Sequence, residues 1–145
     1  MSNIVAKILE GKRIFLIEDD VLNLAVFSTS LHKSGATVIE DVFGYGFAHG
    51  VVIHISEHLP VDLIVLDIML RRGLSGYDVY DEIRKTPQLA SIPIVVVTSL
   101  DAETEIPRAK AKGVNGFISK PISAAEFPKQ LASVINGDKV WINSR

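Results

Sequence analysis

The chain has no cysteine among its 145 residues, so disulfides, thiolate nucleophiles and cysteine-ligated zinc are all excluded. Blocks of like charge are also missing: none is longer than the three carboxylates Glu18, Asp19 and Asp20. With a net charge of −2 and a pI near 6.1, no basic footprint for nucleic acid remains. Nor is there a long apolar run. The longest charge-free stretches, such as residues 42–56, fall short of the roughly 20 residues that span a bilayer. Only Ile4, Val5 and Ala6 stand immediately before Lys7, too few for the roughly 7 to 15 residue apolar core of a secretory signal. These absences point to a cytoplasmic chain with neither a membrane nor a nucleic-acid partner. At 48% apolar and 22% charged, its length fits one compact domain that buries roughly two-thirds of its unfolded surface.

What is present is an alternation of apolar runs and helical patterns. Ile14 to Ile17 form a continuous apolar run that suits a strand buried on both faces. Leu24, Phe27 and Leu31 follow at helical spacing, with Gly35 at the helix exit. The pattern repeats. Residues 36–42 read as a second strand, 44–59 as a second helix, and "DLIVLD" as a third strand. "SGYDVYDEIRK" is a short helix stopped before Pro87, and "PIVVVTS" is a fourth strand rich in β-branched residues. "AKAKGVNGFISKP" carries a helix end into a fifth strand, and "SAAEFPKQLASVI" is the last helix. Five strand and helix pairs predict an α/β, doubly wound (βα)5 fold with a parallel sheet. The expected division is an extension over residues 1–11, one domain over 12–136, and a tail over 137–145. Pro107 is expected to delay or kink the fourth helix, and Pro128 to interrupt the fifth just after a capping box of Ser123 and Glu126.

Polar residues gather at one end of this scheme. Glu18 and Asp19 close the first strand, Asp67 the third and Thr98 the fourth, while Lys120 follows the fifth. Open α/β sheets bind ligands at the carboxyl ends of their strands, so these side chains are expected to face one crevice. The acidic pair of "LIEDD", the aspartate of "LIVLDIM", the "TS" of "VVVTS" and "FISKP" together resemble the receiver domain of two-component response regulators over about residues 12 to 136. Four short motifs in this order, each at an expected strand end, form a strong signal where each alone is weak.

The resemblance implies a flavodoxin-like strand order of 2-1-3-4-5, an order for which a receiver protein is itself a standard example. It also implies that Asp67 accepts a phosphoryl group from a phosphohistidine on a histidine kinase or a histidine phosphotransfer protein. Glu18 and Asp19 would hold Mg²⁺ with Asp67, and the backbone carbonyl of Met69 would complete the protein ligands. Lys120 would stabilise the transferring charge, and Thr98 and Phe117 would report the modification as a switch. Pro121 is expected to follow a cis peptide.

The residues support this independently. Three carboxylates brought within about 4 Å would repel by around 4 kcal/mol per pair at an effective dielectric of 20, so a positive partner is needed. Hard oxygen donors suit magnesium, and "EDDVLN" lacks the glycine and distant glutamate of a calcium-binding EF-hand loop. Carboxylates also serve as nucleophiles that form aspartyl phosphates.

Single residues have plainer readings: Asp20 caps the helix near Val21 or supports the site from behind, and Thr98 or Lys120 alone would be an ordinary strand-end residue. His54 and His58 stand four apart but lack the third ligand of a zinc site, and a partly exposed helix face is expected for them. The glycines of "GYGFAHG" are wrongly spaced for a dinucleotide loop and are expected to permit helix packing. Two departures from the family pattern adjoin the site: Arg71 stands where proline is usual, and Gly76 comes one residue late. Met69 and Leu100 occupy positions where rapidly dephosphorylating relatives place polar side chains, which implies a long-lived modification.

The leading expectation is a stand-alone, non-enzymatic switch that signals through an unknown downstream protein, with a homodimer left open. The alternative is a phosphate-independent interaction module of the same fold. A phosphoester hydrolase is disfavoured because Met69 stands where an acidic residue is needed, and a flavin site lacks a phosphate loop after strand one.

Overall fold

A computed structural model describes residues 7–41 and 47–144. Its elements alternate as β1 (Arg13–Ile17), α1 (Val21–Lys33), β2 (Thr37–Asp41), α2 (Ala48–Ser56), β3 (Leu63–Leu66), α3 (Gly76–Lys85), β4 (Ile94–Thr98), α4 (Ala102–Lys112), β5 (Gly116–Ser119), α5 (Phe127–Ile135) and β6 (Val140–Ile142). All strands pair in parallel, in the order β2-β1-β3-β4-β5-β6. The first five strands take the expected order. The sixth corrects the expected tail: Val140 to Ile142 pair with Gly116 to Ile118 along the outer edge of β5.

Each apolar run divides between two cores by the two-residue period of a strand. Phe15, Ile17, Ile64, Leu66, Ile94, Val96 and Phe117 pack on one face with residues of α2, α3 and α4. Ile14, Leu16, Leu63, Val65, Val95, Val97 and Ile118 pack on the other with α1 and α5. Every residue of β3, β4 and β5 is consequently buried, which explains why these strands read as unbroken apolar runs rather than alternations.

Local chemistry sets the helix starts. Asp20 accepts the Leu22 amide at 2.9 Å as the N-cap of α1, and Ser75 accepts that of Tyr77 at 3.2 Å for α3; such caps contribute about 1 kcal/mol each. Of the two roles expected for Asp20, its side chain performs the cap, and its backbone amide supports the site by donating to Glu18 Oε2 at 3.1 Å. The proline expectations need correction. Pro128 stands in the first turn of α5, where its missing N–H has no helical partner to lose, and Ser123 prepares that start by accepting the Glu126 and Phe127 amides. Pro107 lies inside α4, which nevertheless begins at Ala102. At that depth the proline removes a single helical hydrogen bond, to the Glu103 carbonyl.

Candidate functional site

The strand ends converge as expected. Glu18, Asp19, Asp67 and Lys120 line one crevice of about 400 Å³ together with Asp20, Asn23, Met69, Leu70, Arg71 and Ser99. β1 and β3 are neighbours, and the Asp67 amide donates to the Ile17 carbonyl at 3.1 Å, so ladder bonding carries Asp67 to the end of the sheet beside Glu18. Gly76 closes in from behind. A Cβ there would collide with the Asp67 carbonyl oxygen, and the Gly76 amide donates to the Ile68 carbonyl at 2.7 Å. Only glycine permits that approach of α3 to the strand end.

Lys120 is the electrostatic centre. Its Nζ lies 2.7 Å from Asp67 Oδ2 and 2.6 Å from Glu18 Oε1, and Asp67 Oδ1 accepts the Met69 amide at 3.1 Å. Asp67 and Glu18 are both buried, at 6% and 3% exposure. Burial by itself would lower the Lys120 pKa, but the hydrogen bonds to Asp67 and Glu18 outweigh it and hold the ammonium above the ordinary lysine range. For Glu18, burial raises the carboxyl above the usual carboxylate range, assisted by the Asp67 charge and opposed by Lys120 and the Asp20 amide. The peptide bond from Lys120 to Pro121 is cis, as expected.

Asp19 is held separately. Its Oδ2 accepts the Arg71 backbone amide, and its carbonyl accepts the Arg71 guanidinium at 3.1 Å. Arg71 opens a single 3₁₀ turn, Arg71–Gly73, in the β3 to α3 connection. Arg72 there has φ 59, a left-handed conformation that costs a non-glycine residue about 1 kcal/mol or more.

Among the described residues, no three acidic or imidazole side chains converge tightly enough to form a metal cage. The donor chemistry still fits magnesium. Carboxylate oxygens of Glu18, Asp19 and Asp67 line the same crevice, and Mg²⁺ is commonly held by one or two carboxylates, with water and phosphate oxygens supplying the rest.

Thr98 departs from the crevice-facing expectation. It is fully buried, its hydroxyl accepts the Leu100 amide at 3.3 Å, and its neighbour Ser99 lines the crevice in its place. Phe117 is fully buried in the core on the α4 side of the sheet. Reading the sequence missed Ser99 and the clasp of Arg71 on Asp19; the quoted "TS" and the misplaced arginine were the only signals. It also missed a contact one strand over. Asp41, 1% exposed at the end of β2, lies 2.8 Å from His54 Nδ1, and His54 is part-buried on α2, in keeping with the partly exposed helix face expected for it. Gly44 and Gly46 of the glycine-rich stretch lie outside the described residues. A larger apolar hollow of about 620 Å³ lies between α1 and the start of α5, bounded by Val26, Thr29, Ala124 and Pro128, and holds none of these groups.

Comparison with known proteins agrees with the geometry. The family model described as response regulator receiver domain matches residues 14–132. The chain is 30% identical over 124 residues to the polar-differentiation response regulator DivK of Brucella ovis, covering 86% of this chain and 96% of the relative. It is 24% identical over 125 residues to Protein PilH of Pseudomonas aeruginosa, covering 86% and 98%. Among solved structures, a response regulator from Desulfuromonas acetoxidans superposes with a TM-score of 0.73 at 24% identity, over 86% of this chain and 97% of that one. The receiver domain of a sensor histidine kinase from Pseudomonas aeruginosa, whose structure has magnesium coordinated in the active site cleft, superposes with a TM-score of 0.73 at 26% identity, over 88% and 99%.

Proposed function

This chain belongs to the response regulator receiver domain family, its role is in two-component signalling, and from that premise we propose that it is a phosphorylation switch with Asp67 as the phosphoacceptor. The observation that carries the reading is the contact of a part-buried lysine, Lys120, with the buried carboxylates Asp67 and Glu18 at the carboxyl end of a parallel sheet.

The chemistry follows from the positions of the groups. An Asp67 carboxylate oxygen attacks the phosphorus of a phosphohistidine; the new O–P bond forms as the N–P bond breaks, and the imidazole takes the leaving electron pair. In-line transfer of this kind needs placement and charge neutralisation rather than acid–base chemistry. The Met69 amide, on Oδ1, orients the Asp67 carboxylate. The Lys120 ammonium, on Oδ2, neutralises it and stands ready to pair with the arriving phosphoryl oxygens. Glu18, Asp19, Asp67 and the Met69 carbonyl would hold magnesium, which when bound would supply further charge neutralisation on the phosphoryl group. The donor is a histidine kinase or histidine phosphotransfer protein. Exposed Val21 and Leu22 directly after the acidic triplet, with exposed Met69 in the crevice wall, offer it an apolar surface beside the acceptor.

The response runs through Thr98 and Phe117. Moving the Thr98 hydroxyl from the Leu100 amide to a phosphoryl oxygen would alter the packing around buried Phe117, which pairs through β5 with both β4 and β6. A downstream protein then reads that change; among the described residues no helix is long and apolar enough to cross a membrane.

Incubation with a small acyl phosphate donor and Mg²⁺, followed by intact mass, tests the reading. The expected result is one acid-stable, base-labile phosphoryl adduct that Asp67→Asn abolishes. No adduct with either a small donor or a competent kinase would leave the phosphate-independent interaction module as the better reading. Because exposed Met69 cannot orient water, the adduct is expected to be long-lived, and Met69→Asn to shorten its half-life several-fold in a decay time course; an unchanged half-life would contradict that role.

A further inference from the structure

Arg71 holds Asp19 twice, by its backbone amide on Oδ2 and by its guanidinium on the carbonyl oxygen at 3.1 Å. The two residues are 52 positions apart in sequence, so this clasp ties the connection after β1 to the connection after β3, both of which line the crevice. The turn that presents Arg71 is itself closed. The Leu74 amide donates to the Arg71 carbonyl and the Leu70 amide to the Leu74 carbonyl, each at 3.2 Å, while Met69 bridges Ser75 below.

The carboxylates of the crevice are therefore held in two ways. Glu18 and Asp67 share the Lys120 ammonium, whereas the Asp19 carboxylate accepts the Arg71 backbone amide while the Arg71 guanidinium takes the Asp19 carbonyl oxygen. Every carboxylate that could receive a divalent cation is already engaged by a positive or hydrogen-donating group of the chain itself.

We propose that Arg71 is a latch that competes with the divalent cation for Asp19, so that cation binding releases Asp19 from the turn at residues 71–73. The proposal rests on reading the crevice as a cation-assisted phosphoacceptor site. Asp19 keeps a second carboxylate oxygen, so the latch weakens cation binding by degrees rather than blocking it. Its two holds are separable. Arg71→Ala removes the guanidinium and leaves the amide; Arg71→Pro removes both. Leu70, at φ −109 and ψ 165, already has the extended conformation that a residue before proline requires.

Mg²⁺ titration followed by backbone amide NMR and by calorimetry tests the latch without any phosphoryl transfer. In the unsubstituted protein the Arg71 amide proton should be shifted downfield and protected from exchange, and should lose both properties as Mg²⁺ saturates the site. The Mg²⁺ dissociation constant should fall about threefold in Arg71→Ala and about tenfold in Arg71→Pro, the sizes expected for losing one and then both of two hydrogen bonds of modest net strength. Unchanged amide shifts at Leu66 and Val96 would verify that the sheet is intact. Equal affinities in all three proteins with an Arg71 amide indifferent to Mg²⁺ would overturn the latch and leave the phosphoacceptor reading standing. Absence of Mg²⁺ binding in all three would overturn both.

Discussion

Lys120 is the residue on which most of the site's electrostatics depends. Its raised pKa means that its contribution to stability is complete below about pH 10.4, the ordinary lysine value, and is lost as pH rises through the higher folded value. Lys120→Met should leave Glu18 and Asp67 buried without their cation and cost about 3–5 kcal/mol at pH 7. Without its lysine, the Glu18 carboxyl rises further, so its protonated form stabilises the fold as pH falls. Urea unfolding of the variant should therefore show a deficit that shrinks as pH falls below neutrality; a deficit independent of pH would contradict the pairing. Gly76 is a second sensitive residue. Gly76→Ala drives a Cβ into the Asp67 carbonyl, and should cost about 3 kcal/mol and displace the Asp67 amide in a heteronuclear NMR spectrum; near-native stability would mean that α3 can retreat. Asp67, Glu18 and Lys120 were legible in the sequence because each ends or follows a strand whose burial is written in consecutive apolar residues. The hold of Arg71 on Asp19 was not, since a contact across 52 positions leaves no local pattern. Thr98 was legible as a position, but which of Thr98 and Ser99 faces the crevice depends on the direction each side chain takes at the strand end.

At the scale of elements, the strands were the readable part and the chain ends of the sheet were not. Runs such as Ile94 to Val97 announce burial on both faces, whereas β6 is three half-buried residues after a polar linker. β6 nonetheless joins the site's own strand. Phe117 registers with Trp141, Lys110 Nζ stands 5.0 Å over the Trp141 ring, and Ser144 bonds Ser119 twice, at 2.6 and 2.9 Å, one residue before Lys120. Deleting residues 138–145 should keep the fold but lower its stability by about 2 kcal/mol, the scale of a few half-buried apolar side chains, as measured by urea denaturation with far-ultraviolet circular dichroism. An unchanged midpoint would mean that β6 adds nothing to β5. The prolines misled for a related reason: their effect depends on depth in a helix, and because α5 starts at Phe127 rather than at Ser123, Pro128 falls in its first turn as an initiator instead of inside it as a breaker.

For the whole molecule, a parallel sheet covered on both faces leaves only its ends open, and at the carboxyl end the termini of β1 and β3 bring Glu18, Asp19 and Asp67 to one crevice. That convergence, visible once the strand order is known, underlies the claim that Asp67 carries the signal. The most direct test is reductive trapping: treat the protein with a small phosphodonor and Mg²⁺, reduce with borohydride, digest, and sequence the peptides by mass spectrometry. An acyl phosphate on Asp67 would be converted to homoserine at position 67 and nowhere else. Homoserine at another aspartate, or at none while phosphoryl label is incorporated, would contradict Asp67 as the acceptor.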